Sequence, residues 1–381
     1  MARPDATTNE TNYGLPWVLI DFKTKAATAI ARSARGIVAM ILHNETEDTQ
    51  KMYRIDDVSD IPEKGLSEKS IELIKLCLKG TPARILLYTI PDSTVEGAAN
   101  SIASTLKKLG HVKWNYLCAP DSTFQEHEDI ASWIKSMSEN KDKTYKAVLA
   151  NNKGDHECII NFTTDAINVQ TDMDEDNNPV YTTYDATTYT ARMAGVLAGL
   201  PLDRSATYYS LPEVSSVEQY EDPDEAVKNG ELILIDEEDG NGVKIARGVN
   251  SFTSFTKEKG ATYRKIKIVE GVHMVKDDLR DTFKSYYAGA YINHYRNKML
   301  FCAAVDVYFN NLKGNVLDPD GKNNIDINEE WQRNYAKLQG EDTSKMTAME
   351  IRKYNTGDTI ALTGDVKFVD AMENLQISFT M

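Results

Sequence analysis

The sequence predicts a mixed α/β chain of several domains, and three observations carry that expectation. From Ala83 onward, strand-like and helix-like segments alternate. From Val272 onward, apolar stripes at helical spacing dominate. Both ends carry strand-like segments, and the last, "LQISFTM", sets Leu375, Ile377, Phe379 and Met381 on one side and Gln376, Ser378 and Thr380 on the other. A period of two marks a half-buried strand, and an unpaired strand edge is a hazard that chains cover or charge. At 381 residues the chain can form two or three domains of roughly 100–200 residues each.

The opening "MARPDATTNETNYG" is polar and lacks the basic-then-apolar pattern of a secretory signal, so a short disordered lead-in and a cytoplasmic site of synthesis are expected. Pro16 argues against a central strand next, but Trp17–Phe22 suits an edge or added strand. "RGIVAMIL" (Arg35–Leu42) and "QKMYRI" (Gln50–Ile55) read as a small β-rich unit. "SEKSIELIKLCLKG" reads as a helix capped by Ser67 and stopped at Gly80. Then follow the strand "ARILLYTI", the helix "STVEGAANSIASTLKKLG" ending at Gly110, and the strand "VKWNYLCAP". The helix "STFQEHEDIASWIKSMSEN" and the strands "KAVLAN" and "ECIINF" continue the pattern, and crossovers of this length imply a mostly parallel sheet. "YTARMAGVLAGL" (Tyr189–Leu200) adds a helix with small residues for close packing.

"ELILIDEEDGNGVKIARGVNSF" reads as strand, acidic turn and strand, and "YRKIKIVEG" as another strand. Val272, Val275, Leu279, Phe283 and Tyr286 then form one apolar helical stripe. "INHYRNKMLFCAAVDVYFNNL" and "NEEWQRNYAKLQG" follow as helices, the second with Asn328 as N-cap. Two strands, Ala361–Val369 and Leu375–Met381, close the chain, which shows no internal repeat.

The chemistry-bearing motifs are missing where an α/β enzyme would need them. The turn after the first βαβ strand reads "IPDSTVEG", without the glycines of a dinucleotide fingerprint, and there is no phosphate loop or nucleophile elbow. "DEEDGNG" (Asp236–Gly242) carries acids that would repel phosphate, which leaves a hairpin turn. The four cysteines (Cys77, Cys118, Cys158, Cys302) are scattered in apolar settings and read as buried reduced thiols. His127 in "QEHEDI" reads as a solvated helix face, and His273 and His294 lack zinc spacing. "DMDEDNNPVYTT" and "DPDGKNNIDINE" echo calcium loops, but Thr183 in one and Lys322 and Asn323 in the other break the ligand pattern, so turn chemistry explains both. No catalytic, cofactor-binding or metal site is expected. A net charge of −15 argues against nucleic-acid binding, and no run approaches the ~20 apolar residues of a membrane helix.

Four stretches resemble the contractile tail sheath proteins of myophages and phage-tail-like bacteriocins, in the short Gram-positive form. They are "GLPWVLIDFKTKA", where Trp17 replaces a usual glycine, "ARGIVAM", the segment from "ILIDEEDGNG" to "DDLRDTF", and the final strand pair. The resemblance spans nearly the whole chain, most closely from residue 231. It implies an arm over residues 1–34, a small β-rich domain over 35–82 and a subtilisin-like α/β sheath domain over 83–258. A C-terminal sheath domain over 259–363 and arm strands over 364–381 complete the expected arrangement. It also implies a structural virion protein and not an enzyme. Such a subunit forms a helical homopolymer of stacked rings around an inner tail tube protein, meeting baseplate and terminator or collar proteins. Contraction would drive the tube through a cell envelope, with no cofactor, nucleic acid or membrane insertion.

Assembly in the bacterial cytoplasm, into a virion tail or a released particle, goes with that reading. Terminal strands would add to neighbours' C-terminal domains, through Trp17, Val18, Leu19, Ile20 and Phe22 at one end and Leu375, Ile377, Phe379 and Met381 at the other. Residues 23–34 and Asp370–Asn374 are the expected joints, and Arg333 and Lys337 on the helix from Asn328 to Gln339 the expected tube contacts. Two other classes remain open. One is a small-molecule α/β enzyme with its site at the strand carboxyl ends, near Asp92, Asp121 and Asn151–Asn152. The other is a non-contractile structural filament protein.

Overall fold

The computed structural model describes residues 30, 34–44, 51–91, 102–173, 178–237, 240 and 242–380. Its larger, N-terminal part is a three-layer α/β unit. Strand β1 (Ile37–Asn44), β2 (Lys51–Ile55), helix α1 (Glu68–Leu78), β3 (Arg84–Pro91), α2 (Ile102–Leu109), β4 (Tyr116–Cys118), α3 (Phe124–Lys141), β5 (Lys146–Ala150) and β6 (Ile159–Phe162) come first. They are followed by β7 (Ile167–Met173), β8 (Pro179–Tyr184), α4 (Ala186–Gly199), β9 (Val214–Ser216), α5 (Pro223–Lys228), β10 (Glu231–Leu232), β11 (Leu234–Ile235) and β12 (Lys244–Ile245). The main sheet has seven strands in the order β10-β6-β5-β4-β1-β3-β2. All its pairings are parallel except that of β2 with β3.

β1 therefore lies inside the sheet, and residues 35–82 are not a separate β-rich domain. The physical reason lies in "IVAMIL": Val38, Met40 and Leu42 enter the core under α1 and α4, while Ile37, Ala39 and Ile41 enter the core under α2 and α3. A strand buried on both faces reads as a continuous apolar run. Helices α1 and α4 meet through glycine. A Cβ on Gly195 would stand 2.0 Å from the Cys77 carbonyl oxygen, and one on Gly199 would stand 2.1 Å from that of Gly80.

β7, β8 and β9 form a small antiparallel sheet in the order β8-β7-β9. The ends of "DMDEDNNPVYTT" are thus hairpin strands, with residues 174–177 outside the described ones. β11 and β12 form the expected hairpin, while β10 joins the main sheet beside β6.

The C-terminal unit holds α6 (Ile266–Thr282), α7 (Tyr295–Leu312), β13 (Asn324–Ile327), α8 (Glu329–Leu338), α9 (Ala348–Lys353) and β14 (Leu362–Asp365). "YRKIKIVEG" is the start of α6 and not a strand: the alternation of Lys and Ile is local, and burial of Ile266, Val269, His273 and Met274 follows the helical period. α6 widens into a single π turn over Phe283–Tyr287. Met274, Phe301, Val305, Phe309, Leu312 and Leu317 centre this core, and Ile30 packs against it. β14 pairs antiparallel with β13. Of the two expected closing strands, Ala361–Val369 contains β14, whose partner is the hidden strand "NIDI", and the described part of Leu375–Met381 is in no strand. Among the described residues no helix is long and apolar enough to cross a membrane.

Candidate functional site

After β14 the chain crosses from the C-terminal core back to the α/β unit. Phe368 bridges to Leu317, and the Val369 N–H donates to the Val316 carbonyl at 3.0 Å. At Glu373 it is fastened. Thr207 Oγ1 donates to Glu373 Oε1 at 2.7 Å, and Ser205 Oγ lies 3.1 Å from the same oxygen. Arg247 Nε and Lys265 Nζ each donate to Oε2 at 3.1 Å. Lys265 also pairs with Asp370, and Arg247 Nη2 donates to Asn374 Oδ1 at 3.0 Å. Burial pushes the Glu373 carboxyl up, but the bonds from Thr207, Lys265 and Arg247 hold it below the usual carboxylate range. The Asp370–Asn374 stretch is therefore tied down, where the sequence suggests a free joint.

Beyond Asn374 the contacts stop being internal. Leu375, Ile377 and Phe379 are 85%, 59% and 87% exposed, and residues 375–380 form no strand within this chain. Met381 and the N-terminal candidates Trp17, Val18, Leu19, Ile20 and Phe22 lie outside the described residues, as does most of the 23–34 joint.

The carboxyl ends of the parallel strands were the place to find an enzyme. His43 lies near the carboxyl end of β1, and its backbone N–H donates to Asp121 Oδ2 at 2.8 Å. Its ring nitrogens face Asp121 Oδ1 at 3.3 Å and Glu126 Oε1 at 3.1 Å. Hydrogen bonds to Asp121 and then Glu126 raise the imidazole to about 10. Against burial, His43 and Thr123 hold Glu126 down to about 2. Both carboxylates are consumed by a fixed imidazolium, and Glu126 also closes the N-terminal capping box of α3 with Thr123. Asn152 Nδ2 is spent on Glu128 at 2.6 Å, and Asp92 lies outside the described residues. This is a structural ion-pair cluster in which His43 and Glu126 both keep their charges at neutral pH.

The comparisons with known proteins decide the family. A relative from Clostridium phage phiCD119, a tail sheath protein, is 36% identical over 379 residues, covering 97% of this chain and 99% of its own. The chain belongs to the phage tail sheath protein family. The family profile for the phage tail sheath protein central domain matches residues 96–251. The crystal structure of a sheath tail protein from Desulfitobacterium hafniense shares the fold with a TM-score of 0.62 at 18% identity, covering 81% of this chain and 93% of that one. The helical sheath of the anti-feeding prophage in its contracted state gives a TM-score of 0.66 at 15% identity, covering 96% and 99%.

As a structural sheath subunit, the protein uses its reactive-looking groups for packing. All four cysteines are buried, with burial pushing the Cys77 and Cys158 thiols up to about 12. His156, Glu157 and Cys158 cluster with metal-ligand atoms within 4.8 Å of one another. However, His156 Nδ1 accepts the Cys158 N–H at 3.1 Å, so Nε2 carries the proton and has no lone pair for a metal. Lys259 further neutralises Glu157. In "DPDGKNNIDINE", Asp326 and Glu329 are bound by Arg352 at 2.5 and 3.0 Å, and Asp318 by Lys367 at 2.7 Å, so no calcium cup is left. His127 is buried, not solvated: its Nε2 lies 3.0 Å from the Ala119 carbonyl oxygen and its Nδ1 accepts the Ala150 N–H at 3.3 Å, stitching the ends of β4 and β5. Of the expected tube contacts, Arg333 donates to the Thr343 carbonyl at 2.8 Å and Lys337 is exposed. The Glu373 fastening escaped sequence reading because its partners lie more than 100 residues away.

Proposed function

We propose that this subunit polymerises helically around an inner tube by donating terminal strands, and contracts to drive that tube through an envelope. The exposed apolar face of Leu375, Ile377 and Phe379 on a fastened root carries this reading. A six-residue strand spans roughly 20 Å at ~3.3 Å per residue, and burying its three apolar side chains contributes on the order of 1.5–3 kcal/mol each.

The acceptor is the two-stranded sheet of the next subunit's C-terminal unit. The outer edge of β13 is already occupied: the Ile325 N–H donates to Asp306 at 3.3 Å and the Ile327 N–H to Asp326 at 2.7 Å. Gly364, paired opposite Ile325, turns its own backbone groups away from β13. The open edge is therefore that of β14, and strand addition there supplies backbone bonds and register. Residues 17–22 serve as a second donated strand. Lys337 contacts the tube, while Arg333 shapes that helix from within. Baseplate and terminator proteins cap the polymer, and the subunit acts without enzymatic turnover in a virion tail or tail-like particle assembled in the cytoplasm. Energy stored at assembly drives contraction, which fits a chain whose parallel strands end in a neutralised ion cluster.

Negative-stain electron microscopy of the purified chain, beside a version ending at Asn374, tests the reading. Long tubes from the full chain that vanish on truncation support it. Monodisperse monomers of both, over several salt concentrations, or tubes from both, overturn strand donation.

A further inference from the structure

The fastening of the C-terminal segment assigns a role to one side chain, and it rests on the reading that this segment is donated. We propose that Glu373 is a positioning residue for assembly, clamping the root of the donated strand to its own α/β unit so that Leu375–Thr380 leaves the subunit in one fixed direction. The clamp is built for a carboxylate. Two hydroxyls and two cations converge on its two oxygens from the 205–207 loop, from Arg247 after β12 and from Lys265 at the start of α6. The side chain is only 5% exposed, and a carboxylate removed from water that far needs such partners to persist.

The contacts are graded along the chain. Phe368 and Val369 hold to the C-terminal core, Met372 stands wholly in solvent, and Glu373 and Asn374 hold to the α/β unit. Residues 370–374 thus form a strut pinned at both ends. A strand tethered to a loose root must lose backbone freedom on pairing, about 1–2 kcal/mol per ordered residue. A clamped root has lost part of that freedom before the neighbour arrives, and preorganisation of this kind strengthens binding without new contacts. The clamp also places the turning point of the arm after Asn374.

The experiment compares full-length wild type, Glu373→Gln and a chain ending at Asn374. Readouts are the protein concentration for half-maximal tube formation, the thermal midpoint of the subunit, and amide exchange over residues 370–374. Glu373→Gln is expected to quicken exchange at Ala371–Asn374 with little change in midpoint, and to raise the half-assembly concentration about tenfold. A purely structural role would lower the midpoint and leave assembly of the folded fraction at the wild-type concentration, which overturns the proposal. Should Glu373→Gln fail to fold, Lys265→Gln gives the same test with an expected rise of about threefold, and wild-type assembly there overturns the clamp. If the chain ending at Asn374 assembles normally, strand donation falls and the clamp with it. If that chain fails while Glu373→Gln assembles as wild type, the clamp alone falls.

Discussion

His43 holds each ring nitrogen against a carboxylate, and that arrangement makes subunit stability depend on pH in a direction the geometry dictates. The imidazole titrates near 10 in the folded chain, against an ordinary value near 6.5. Its contribution is therefore complete below about pH 6.5 and is lost as pH rises through 10. Glu126, held down to about 2, contributes fully above about pH 4.5 and loses its share as pH falls toward 2. His43→Gln is expected to destabilise by about 1–3 kcal/mol at pH 6, with the difference from wild type shrinking toward pH 10. Urea unfolding across that range checks it, and a pH-independent difference would refute the charged imidazole. The sequence offers no sign of this pairing, because His43, Asp121 and Glu126 come from different elements. His127 shows the same limit: its carboxylate neighbours in sequence suggest a wet surface, yet its bonding partners belong to other elements.

At the scale of elements, periodicity made most of the α/β unit legible. Helices α1, α3, α4, α7 and α8 and strands β1 to β6 fall where apolar spacing and caps place them. What failed has physical causes. "INVQTDM" buries Ile167 and Val169 but is otherwise polar, as is "PVYTTY", so neither shows the sustained apolar alternation that marks a strand. "NIDI" is too short to announce itself until β14 pairs with it. The alternation of Leu375, Ile377 and Phe379 was legible, although residues 375–380 form no strand within this chain, and the anchor at Glu373 was not. Composition pointed to close packing of this helix but not to its partner: the small residues of "MAGVLAG" let α4 approach α1 closely. Gly195→Ala pushes a methyl onto the Cys77 carbonyl, and the helices must separate. A loss of about 1–3 kcal/mol follows from such overpacking. Thermal or denaturant unfolding of the variant measures it, and a neutral result would refute close packing of the two helices at Gly195.

For the whole molecule, the question is how a largely apolar α/β unit and a helical C-terminal unit stay in one arrangement while a polymer loads them. The seam between them is polar. Along α6, Glu270 meets Lys146 at 2.8 Å and Arg35, Asp277 accepts from Thr144 at 2.7 Å, Arg280 meets Asp142 at 2.9 Å, and Lys276 pairs with Asp142. These partners stand at the amino ends of β1 and β5 or just before them. Charged seams fix direction more than they add stability, since desolvation offsets much of the attraction. Lys146 is 2% exposed and lies over the Tyr116 ring at 4.7 Å, so it is the member that water can least rescue. Glu270→Leu strands Lys146 in the interior and is expected to cost about 3–5 kcal/mol. Lys146→Met leaves Glu270 with Arg35 and costs less, and the double variant should be more stable than Glu270→Leu alone. A double-mutant cycle on the folded subunit reads the coupling directly. Equal single costs that simply add would show that the ion pair does not join the two units.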